Sequence, residues 1–184
     1  GHFRGIMTVV QDPAAQFSVV EPGGPGGCAI NRTATVAATA AAEGCEVAVN
    51  AGFFNVKSGA CLGSVVSDGR VVQTSDHQNV HFGLRQNGSF FIGYPSPADV
   101  ESTDNPFVQL VRGFVWLIRD GQVYVDQSQN CGYDDTGYSA HTFVTVNSAR
   151  VAIGHDREGR LIIFQVDGKS WKRGPDLYTL ANLL

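Results

Sequence analysis

The chain has 184 residues, of which 43% are hydrophobic and 16% are charged. This length and composition are typical of a globular protein with a buried core, so disorder is not the default expectation. The net charge of −4 and the scattered lysines and arginines argue against nucleic-acid binding, which needs a basic stripe along the phosphates.

No apolar run approaches the roughly 20 residues that span a bilayer, and the first four residues lack a signal-peptide pattern. We therefore expect any targeting or anchoring segment to lie outside this chain. The chain has four cysteines: Cys28, Cys45, Cys61 and Cys131. They show neither C-x-x-C pairs nor the Cys/His spacing of a zinc site, so we expect no structural metal and no cofactor.

Two glycosylation sequons begin at Asn31 and Asn87. Together with the even number of cysteines, they indicate an oxidising, glycosylating compartment. The alternative is two unused sequons and buried free thiols.

The first half of the chain is predicted to hold short strands separated by turns. These strands cover residues 5–10, 16–21, 46–49, 63–66, 71–73, 82–84 and 90–92. The glycine-rich stretch 22–27 is either a flexible connector or a close backbone approach to a ligand. An alanine-rich helix is predicted over 33–43, with Asn31 as its N-cap and Gly44 after its end.

The second half continues this pattern, with predicted strands at 108–111, 115–118, 122–125, 142–146, 150–155 and 161–166. The polar stretch 126–140 carries Cys131 and is predicted to be a long surface loop. A helix is predicted over 175–184 from its apolar spacing. Mostly antiparallel sheet with two main helices predicts a single α+β domain.

Several segments resemble the phosphodiester glycosidase family. They include N-A-G-F-F-N at 50–55, S-A-R at 148–150 and A-I-G-H-D-R at 152–157, together with 61–63, 65–68, 105–110 and 115–119. The match covers nearly the whole chain. By this resemblance, residues 1–184 are the N-terminal and central part of the family's catalytic domain.

The resemblance also implies features that this sequence does not contain. A further strand should follow the last helix and end in a loop of the form N-L-D-G-G-G-S, whose aspartate belongs to the active site. We therefore expect a C-terminal segment of the same domain to complete it. Cys28 should pair with Cys61, and Cys45 with a cysteine beyond residue 184. The partner of Cys131 is left open.

The activity that the resemblance implies is removal of N-acetylglucosamine from N-acetylglucosamine-α-phospho-mannose diesters on the glycans of lysosomal enzymes, which exposes mannose 6-phosphate. It further implies homo-oligomers in the Golgi lumen, anchored to the membrane through a segment outside this chain. The leaving phosphomonoester has a second pKa of about 6, so it departs without a strong general acid. Phosphate recognition should therefore dominate the site.

Arg150 is the leading candidate for phosphate binding, because a planar guanidinium can bind two phosphate oxygens at once. The alternative is a structural ion pair. Asn50 and the backbone at Gly52 are candidates for contacts with sugar hydroxyls or the acetamido group, although Asn50 also suits an Asx turn. Of Phe53 and Phe54, we expect one ring to stack on a sugar and the other to lie in the core.

His155, Asp156 and Arg157 form a possible acid/base and cation cluster. Asp156 also stands where a hairpin turn favours aspartate, and the turn interpretation is preferred. Asp68 and Asp76 are other carboxylates, but neither is a persuasive nucleophile or base. That group is expected in the L-D-G-G-G-S loop. The rival functions are a sugar-phosphate binding module without turnover and a secreted interaction domain held by disulfides.

Overall fold

Antiparallel strands and short helices alternate along the chain in a computed structural model that describes residues 3–77, 79–129 and 139–184. The strands are β1 (Gly5–Val10), β2 (Val65–Ser67), β3 (Arg70–Gln73), β4 (His81–Arg85), β5 (Phe90–Gly93), β6 (Phe107–Arg112), β7 (Ile118–Arg119), β8 (Gln122–Val123), β9 (Arg150–His155) and β10 (Leu161–Val166). The helices of the described residues are α1 (Pro13–Gln16), α2 (Val36–Glu43), α3 (Pro97–Glu101), α4 (Val125–Gln129), α5 (Ala140–Thr145) and α6 (Leu177–Leu183). The predicted α+β class with antiparallel sheets is confirmed, with six helices among these residues where two main ones were expected.

The chain divides into two compact units. The first unit comprises Gly1–Gln16, Gln78–Val80 and Phe114–Leu184, and the second comprises Phe17–His77 and His81–Gly113. Each unit has its own antiparallel sheet. None of the described helices is long and apolar enough to cross a membrane.

The first unit is built on a three-stranded sheet in which β10 lies between β1 and β9. Val166, the last residue of β10, pairs with Gly5 on one side and Arg150 on the other. At the opposite end of the sheet, Leu161 pairs with His155. The start of β9 and the end of β10 therefore lie side by side.

The core of the first unit lies between this sheet and three helices, α4, α5 and α6. Its buried residues are Val125, Val144, Ala152, Val166, Leu177, Leu180 and Ala181. Within α6, the buried residues follow the i, i+3, i+4 spacing of an amphipathic helix. Asp176 begins α6 by accepting the backbone N–H of Thr179 at 2.7 Å, so the predicted C-terminal helix is confirmed and has an aspartate cap.

The second unit contains a five-stranded sheet of order β3-β2-β6-β4-β5. The predicted hairpins are confirmed: β2 and β3 turn at Asp68-Gly69, and β4 and β5 turn at residues 86–89. One buried cluster consists of Val66, Val100, Phe107 and Leu110. Helix α2 has no buried residue and is capped by Thr35 and Gly44, so the predicted N-cap at Asn31 is wrong.

The segment 142–146 forms part of helix α5, and its prediction as a strand is wrong. Its threonine, valine and phenylalanine residues favour strands by propensity. The hydroxyl of Ser139 accepts the backbone N–H of Thr142 at 3.1 Å, however, and this cap starts a helix. The local cap and the burial of Val144 outweigh the propensity.

Two more predicted strands are absent from the described structure, and those predicted at 115–118 and 122–125 are reduced to the short strands β7 and β8. Helix α1 ends at Gln16 and residues 17–21 are irregular, and residues 46–49 form no ladder. The predicted surface loop at 126–140 begins within α4 and ends at α5, and its residues 130–138, with Cys131, lie outside the described residues.

Candidate functional site

Arg150 stands at the start of β9, and 8% of its surface is exposed. Its Nη2 donates to the backbone carbonyls of Phe143 at 2.9 Å and Val146 at 2.6 Å, and its Nε donates to the carbonyl of Pro175 at 3.5 Å. Phe143 and Val146 belong to the last turn of α5, whose carbonyls have no partner within the helix. The guanidinium of Arg150 therefore caps this helix.

The buried charge of Arg150 persists at neutral pH. Burial lowers the pKa of Arg150 to about 10, and the attraction of Asp176 acts in the opposite direction. A pKa near 10 leaves the guanidinium protonated under physiological conditions. The end of the sheet where β9 begins therefore carries a fixed positive charge.

A surface cleft is found at the same end of the sheet. The residues that line it are Phe3, Arg4, Asp167, Arg173 and Gly174. Arg4 precedes β1 and Asp167 follows β10, and the N–H of Asp167 donates to the carbonyl of Arg4 at 2.9 Å. The pairing of β1 with β10 thus brings Arg4 to the segment that carries Arg173. Two arginines in one concave surface favour an anionic ligand.

The cluster of His155, Asp156 and Arg157 lies at the other end of β9. The Oδ1 atom of Asp156 accepts the backbone N–H groups of Glu158 and Arg160, each at 2.9 Å, and Oδ2 accepts Arg160 Nε at 2.6 Å. Burial by itself raises the pKa of Asp156, but these hydrogen bonds outweigh it and hold the pKa below its ordinary value. The carboxylate thus closes the hairpin turn, as the turn interpretation expects.

Strand β9 separates Arg150 from the cluster of His155, Asp156 and Arg157. Five residue steps of an extended strand cover about 17 Å. Arg150 begins β9 and His155 ends it, with Arg157 exposed beyond. One phosphate group cannot contact both ends, so the structure does not bring Arg150 and the 155–157 cluster into one site.

The second unit presents the predicted segment 50–55 on an irregular hairpin. The N–H of Leu62 donates to the carbonyl of Phe53 at 3.0 Å, and Asn55 Oδ1 accepts the N–H groups of Lys57 and Ser58 at 2.9 and 3.1 Å. The Asx turn of this segment is therefore made by Asn55, and Asn50 is exposed.

The two adjacent phenylalanines differ in burial. Phe53 is half-buried, whereas Phe54 is 49% exposed. Gly52 packs against the sheet, since a Cβ at this position would lie 3.2 Å from Val111 Cγ2. Of the two rings, that of Phe54 is the more accessible to a ligand.

Buried polar residues lie beneath this hairpin, and sequence reasoning missed them. Arg112 is 1% exposed, and its guanidinium lies 5.7 Å from the ring centre of Phe53. Its cross-strand partner His81 is also 1% exposed, and His81 Nε2 accepts the N–H of Ser64 at 3.1 Å. The available signal was an arginine directly after the predicted strand 108–111.

The glycine-rich stretch 22–27 is held around a buried carboxylate. Glu21 is 2% exposed, and it accepts the backbone N–H groups of Gly26 at 3.0 Å and Cys28 at 2.9 Å as well as the guanidinium of Arg70. A Cys28–Cys61 disulfide, the pairing implied by resemblance, fastens the end of the stretch, and Cys45 is a free, exposed thiol. The stretch is therefore neither a loose connector nor a row of amides open to a ligand.

Two further carboxylates were considered for catalysis. Asp68 Oδ1 accepts Ser18 Oγ at 2.8 Å and Gln109 Nε2 at 2.5 Å, so this side chain ties residues 17–19 to the sheet of the second unit. Asp76 is exposed, with its carboxylate 4.0 Å from His77 Nε2. The described residues hold no group of three or more His, Cys, Asp or Glu side chains placed to bind a metal ion. The sequon residues Asn31 and Asn87 are exposed, and their glycosylation stays a prediction.

Comparison with known proteins places these features in a family. The sequence profile of the phosphodiester glycosidase family matches residues 43–184. The human N-acetylglucosamine-1-phosphodiester alpha-N-acetylglucosaminidase is 50% identical to this chain, over 100% of the chain and 37% of the human protein. The mouse protein of the same name is 51% identical, over 98% of the chain and 35% of its own length.

A solved structure is also similar, the zebrafish N-acetylglucosamine-1-phosphodiester alpha-N-acetylglucosaminidase catalytic domain auto-inhibited by pro-peptide. It matches with a TM-score of 0.89 and 40% identity, over 99% of this chain and 66% of the zebrafish chain. This chain spans little more than a third of the curated relatives that it matches. With a family match over most of its residues, the chain belongs to the phosphodiester glycosidase family.

Proposed function

We propose that this protein hydrolyses the bond between N-acetylglucosamine and phosphate in N-acetylglucosamine-α-phospho-mannose diesters, which exposes mannose 6-phosphate on the glycans of lysosomal enzymes. The observation that carries the proposal is the cleft with Arg4 and Arg173 at the end of the sheet where Arg150 begins β9. The family membership and the printed names of the human and mouse relatives support the same chemistry.

The proposed mechanism depends on charge stabilisation. Arg4 and Arg173 bind the phosphate oxygens, and the buried charge of Arg150 behind α5 adds to the positive potential at this end of the first unit. The phosphomonoester that leaves has a second pKa of about 6, so its negative charge is stabilised without full protonation. The arginines therefore lower the energy of the leaving group as the bond to the anomeric carbon breaks.

The attacking group is proposed to come from outside this chain. Asp156 and Asp68 are committed to local hydrogen bonds. An aspartate in a C-terminal L-D-G-G-G-S loop of the same domain would attack the anomeric carbon or activate water. Cys45, which is exposed, is proposed to bind a cysteine of that segment covalently.

The sugar contacts predicted within the second unit are proposed separately from the arginine cleft of the first unit. Asn50, the backbone at Gly52 and the ring of Phe54 are proposed to bind sugar hydroxyls, the acetamido group and a sugar face. Phe53 is ranked lower because it is half-buried against Arg112. His155, Asp156 and Arg157 are ranked below Arg150, since the Asp156 carboxylate closes the hairpin turn and the described cleft lies at the end of the sheet where Arg150 begins β9.

The cellular context is part of the same proposal. The two sequons and the Cys28–Cys61 disulfide support a Golgi lumenal protein. Membrane anchoring through a segment outside this chain and homo-oligomer formation are proposed from the family resemblance. A sugar-phosphate binding module without turnover is the weaker alternative, because the relatives are named as glycosidases.

Two substitutions at opposite ends of β9 test the placement of the site. We expect Arg173→Ala to lower kcat/KM for an N-acetylglucosamine-phospho-mannose diester by about 100-fold, as the loss of two charge-assisted hydrogen bonds would. We expect Arg157→Ala to change it less than about threefold, because Arg157 is an exposed turn residue away from the cleft.

The measurement is release of N-acetylglucosamine by the intact protein and both variants. A large loss in Arg157→Ala with little loss in Arg173→Ala would move the site to the other end of the sheet. If the intact protein binds the diester and releases no N-acetylglucosamine, the binding-module alternative replaces the hydrolase.

A further inference from the structure

An exposed tryptophan surrounded by cations projects from the segment between β10 and α6. Trp171 is 64% exposed, and Lys169, Lys172 and Arg173 beside it are also exposed. The segment 167–176 holds these three cations and two carboxylates, Asp167 and Asp176, in a chain whose net charge is −4. Arg173 and Gly174, which follow Trp171 closely in the sequence, line the cleft.

The backbone of Trp171 is strained. Its φ angle is +66°, in the left-handed region that bulky residues rarely adopt. Its N–H donates to the carbonyl of Asn147 at 2.9 Å, and the hydroxyls of Ser170 and Ser148 are 2.9 Å apart. These bonds hold the conformation in place. Strain of this kind persists where the surrounding structure imposes it, and it is concentrated at functional positions.

Two glycines allow this segment to pack closely against the backbone of Ser148 and Ala149. A Cβ at Gly168 would lie 2.2 Å from the backbone N of Ala149, and one at Gly174 would lie 2.1 Å from the carbonyl oxygen of Ser148. Between them, the N–H of Lys169 donates to the carbonyl of Arg173 at 2.8 Å, and the reverse bond is 3.0 Å. The indole and the two ammonium groups are thus presented on a closed, preorganised turn, which lowers the entropic cost of binding.

The chemistry of these side chains suits a phosphorylated sugar. An indole face packs against the C–H groups of a sugar ring, and lysine ammonium groups bind phosphate oxygens. A single indole buries about 200 Å² at most, which matches one hexose ring. Stable attachment to a membrane requires a larger apolar face than one ring.

We propose that Trp171, Lys169 and Lys172 form a subsite that binds the phosphorylated hexose of the glycan. The hexose stacks on the indole, and the two ammonium groups contact its phosphate. This subsite rests on the proposed function, since it assigns the leaving half of the diester to the turn between β10 and α6. It makes Trp171 a determinant of which glycan is accepted.

Calorimetric titration of the intact protein with mannose 6-phosphate tests the subsite. We expect Trp171→Ala to raise the Kd about tenfold and Trp171→Phe to restore it to within about threefold, because phenylalanine keeps a stacking ring. We expect Lys169→Ala combined with Lys172→Ala to weaken binding of both mannose 6-phosphate and inorganic phosphate. Arg119→Gln is the matched control, as it removes an exposed cation from the end of β7 in the same unit.

Several results would overturn the subsite. An unchanged Kd in Trp171→Ala would do so, and so would equal losses in the alanine and phenylalanine variants, which would mean that Trp171 acts through its backbone. Trp171-dependent binding to phosphatidylserine vesicles without binding of mannose 6-phosphate would assign the turn to a membrane.

A kinetic comparison separates this proposal from the proposed function. We expect Trp171→Ala to lower kcat/KM about tenfold more for an N-acetylglucosamine-phospho-mannose diester than for the corresponding phospho-methyl diester, which has no hexose to stack. Equal losses on both substrates count against the subsite and leave the hydrolase intact. If the unaltered protein cleaves neither diester, the proposed function fails, and the titration still decides whether the subsite exists.

Discussion

Arg150 combines a positive charge with a structural role. Its donors reach three backbone carbonyls, and its guanidinium lies 4.9 Å from the ring centre of Phe143. A cation at the carboxyl end of α5 also interacts favourably with the helix dipole. The same residue therefore stabilises the first unit and adds positive charge at the end of the sheet that holds the cleft, so we expect its loss to affect both folding and the proposed catalysis.

Replacing Arg150 should destabilise the protein. We expect Arg150→Ala to lower the free energy of unfolding by about 1–3 kcal/mol, because buried carbonyls lose their donors. Arg150→Lys should recover part of this loss, since one ammonium group can reach fewer acceptors. Urea denaturation of the three proteins measures the effect. Unchanged stability with lost hydrolysis would show instead that Arg150 contacts the substrate.

The sequence marks Arg150 as a candidate for anion binding, but it does not show which residues surround the guanidinium. A guanidinium at the start of an apolar strand was recognisable as an anion-binding candidate. Its partners Phe143 and Val146 were not predictable, because they belong to a helix that the sequence favours as a strand. Trp171 was missed for a related reason: its conformation depends on contacts with residues 147–149, which are distant in sequence.

At the scale of elements, a buried carboxylate organises the glycine-rich stretch. The sequence showed that residues 22–27 have no regular structure, but their conformation depends on Glu21, Arg70 and the disulfide that ends at Cys61. In contrast, β9, β10 and the hairpin of β4 and β5 were predictable, since alternating apolar residues and tight turns are local signals. The conformation of residues 22–27 depends on contacts between residues distant in sequence, which the local sequence pattern does not show.

The ionisation of Glu21 should make stability depend on pH. Burial alone raises the pKa of Glu21, but the hydrogen bond from Arg70 and two backbone N–H groups outweigh it and hold the pKa below 4.5. Because the folded pKa is lower than the unfolded pKa, Glu21 stabilises the fold above about pH 4.5, and this contribution is lost as the pH falls toward the folded pKa.

Denaturation with urea between pH 3 and pH 7 measures this effect. We expect the loss of stability below about pH 4.5 to be smaller in Glu21→Gln, which is less stable at neutral pH and has no carboxylate to protonate. Parallel pH profiles for the two proteins would show that Glu21 does not contribute to the acid sensitivity.

At the scale of the whole molecule, charge is unevenly distributed. The chain carries a net charge of −4, yet the cleft and the neighbouring turn hold four cations, Arg4, Lys169, Lys172 and Arg173, against the one carboxylate of the cleft lining, Asp167. A local cationic surface attracts an anionic substrate even when the molecule as a whole is acidic. Substrate capture should therefore depend on the local charges more than on the net charge.

Salt should weaken substrate binding with little effect on the chemical step. The Debye length falls from about 10 Å at 0.1 M salt to about 3 Å at 1 M, so exposed cations attract the phosphodiester less strongly. We expect KM to rise several-fold between 0.05 M and 0.5 M sodium chloride, while kcat stays nearly constant. Steady-state kinetics of the intact protein at graded salt measures this, and a KM independent of salt would contradict a role for these exposed charges.

The pairing of β1 with β10 has a consequence for biosynthesis. Residues 5–10 leave the ribosome early, whereas residues 161–166 emerge only after all of the second unit has been translated. The second unit can therefore fold first, while β1 still lacks its hydrogen-bonded partner strand. Closing so long a loop slows folding, so we expect the sheet of the first unit to be completed later than that of the second.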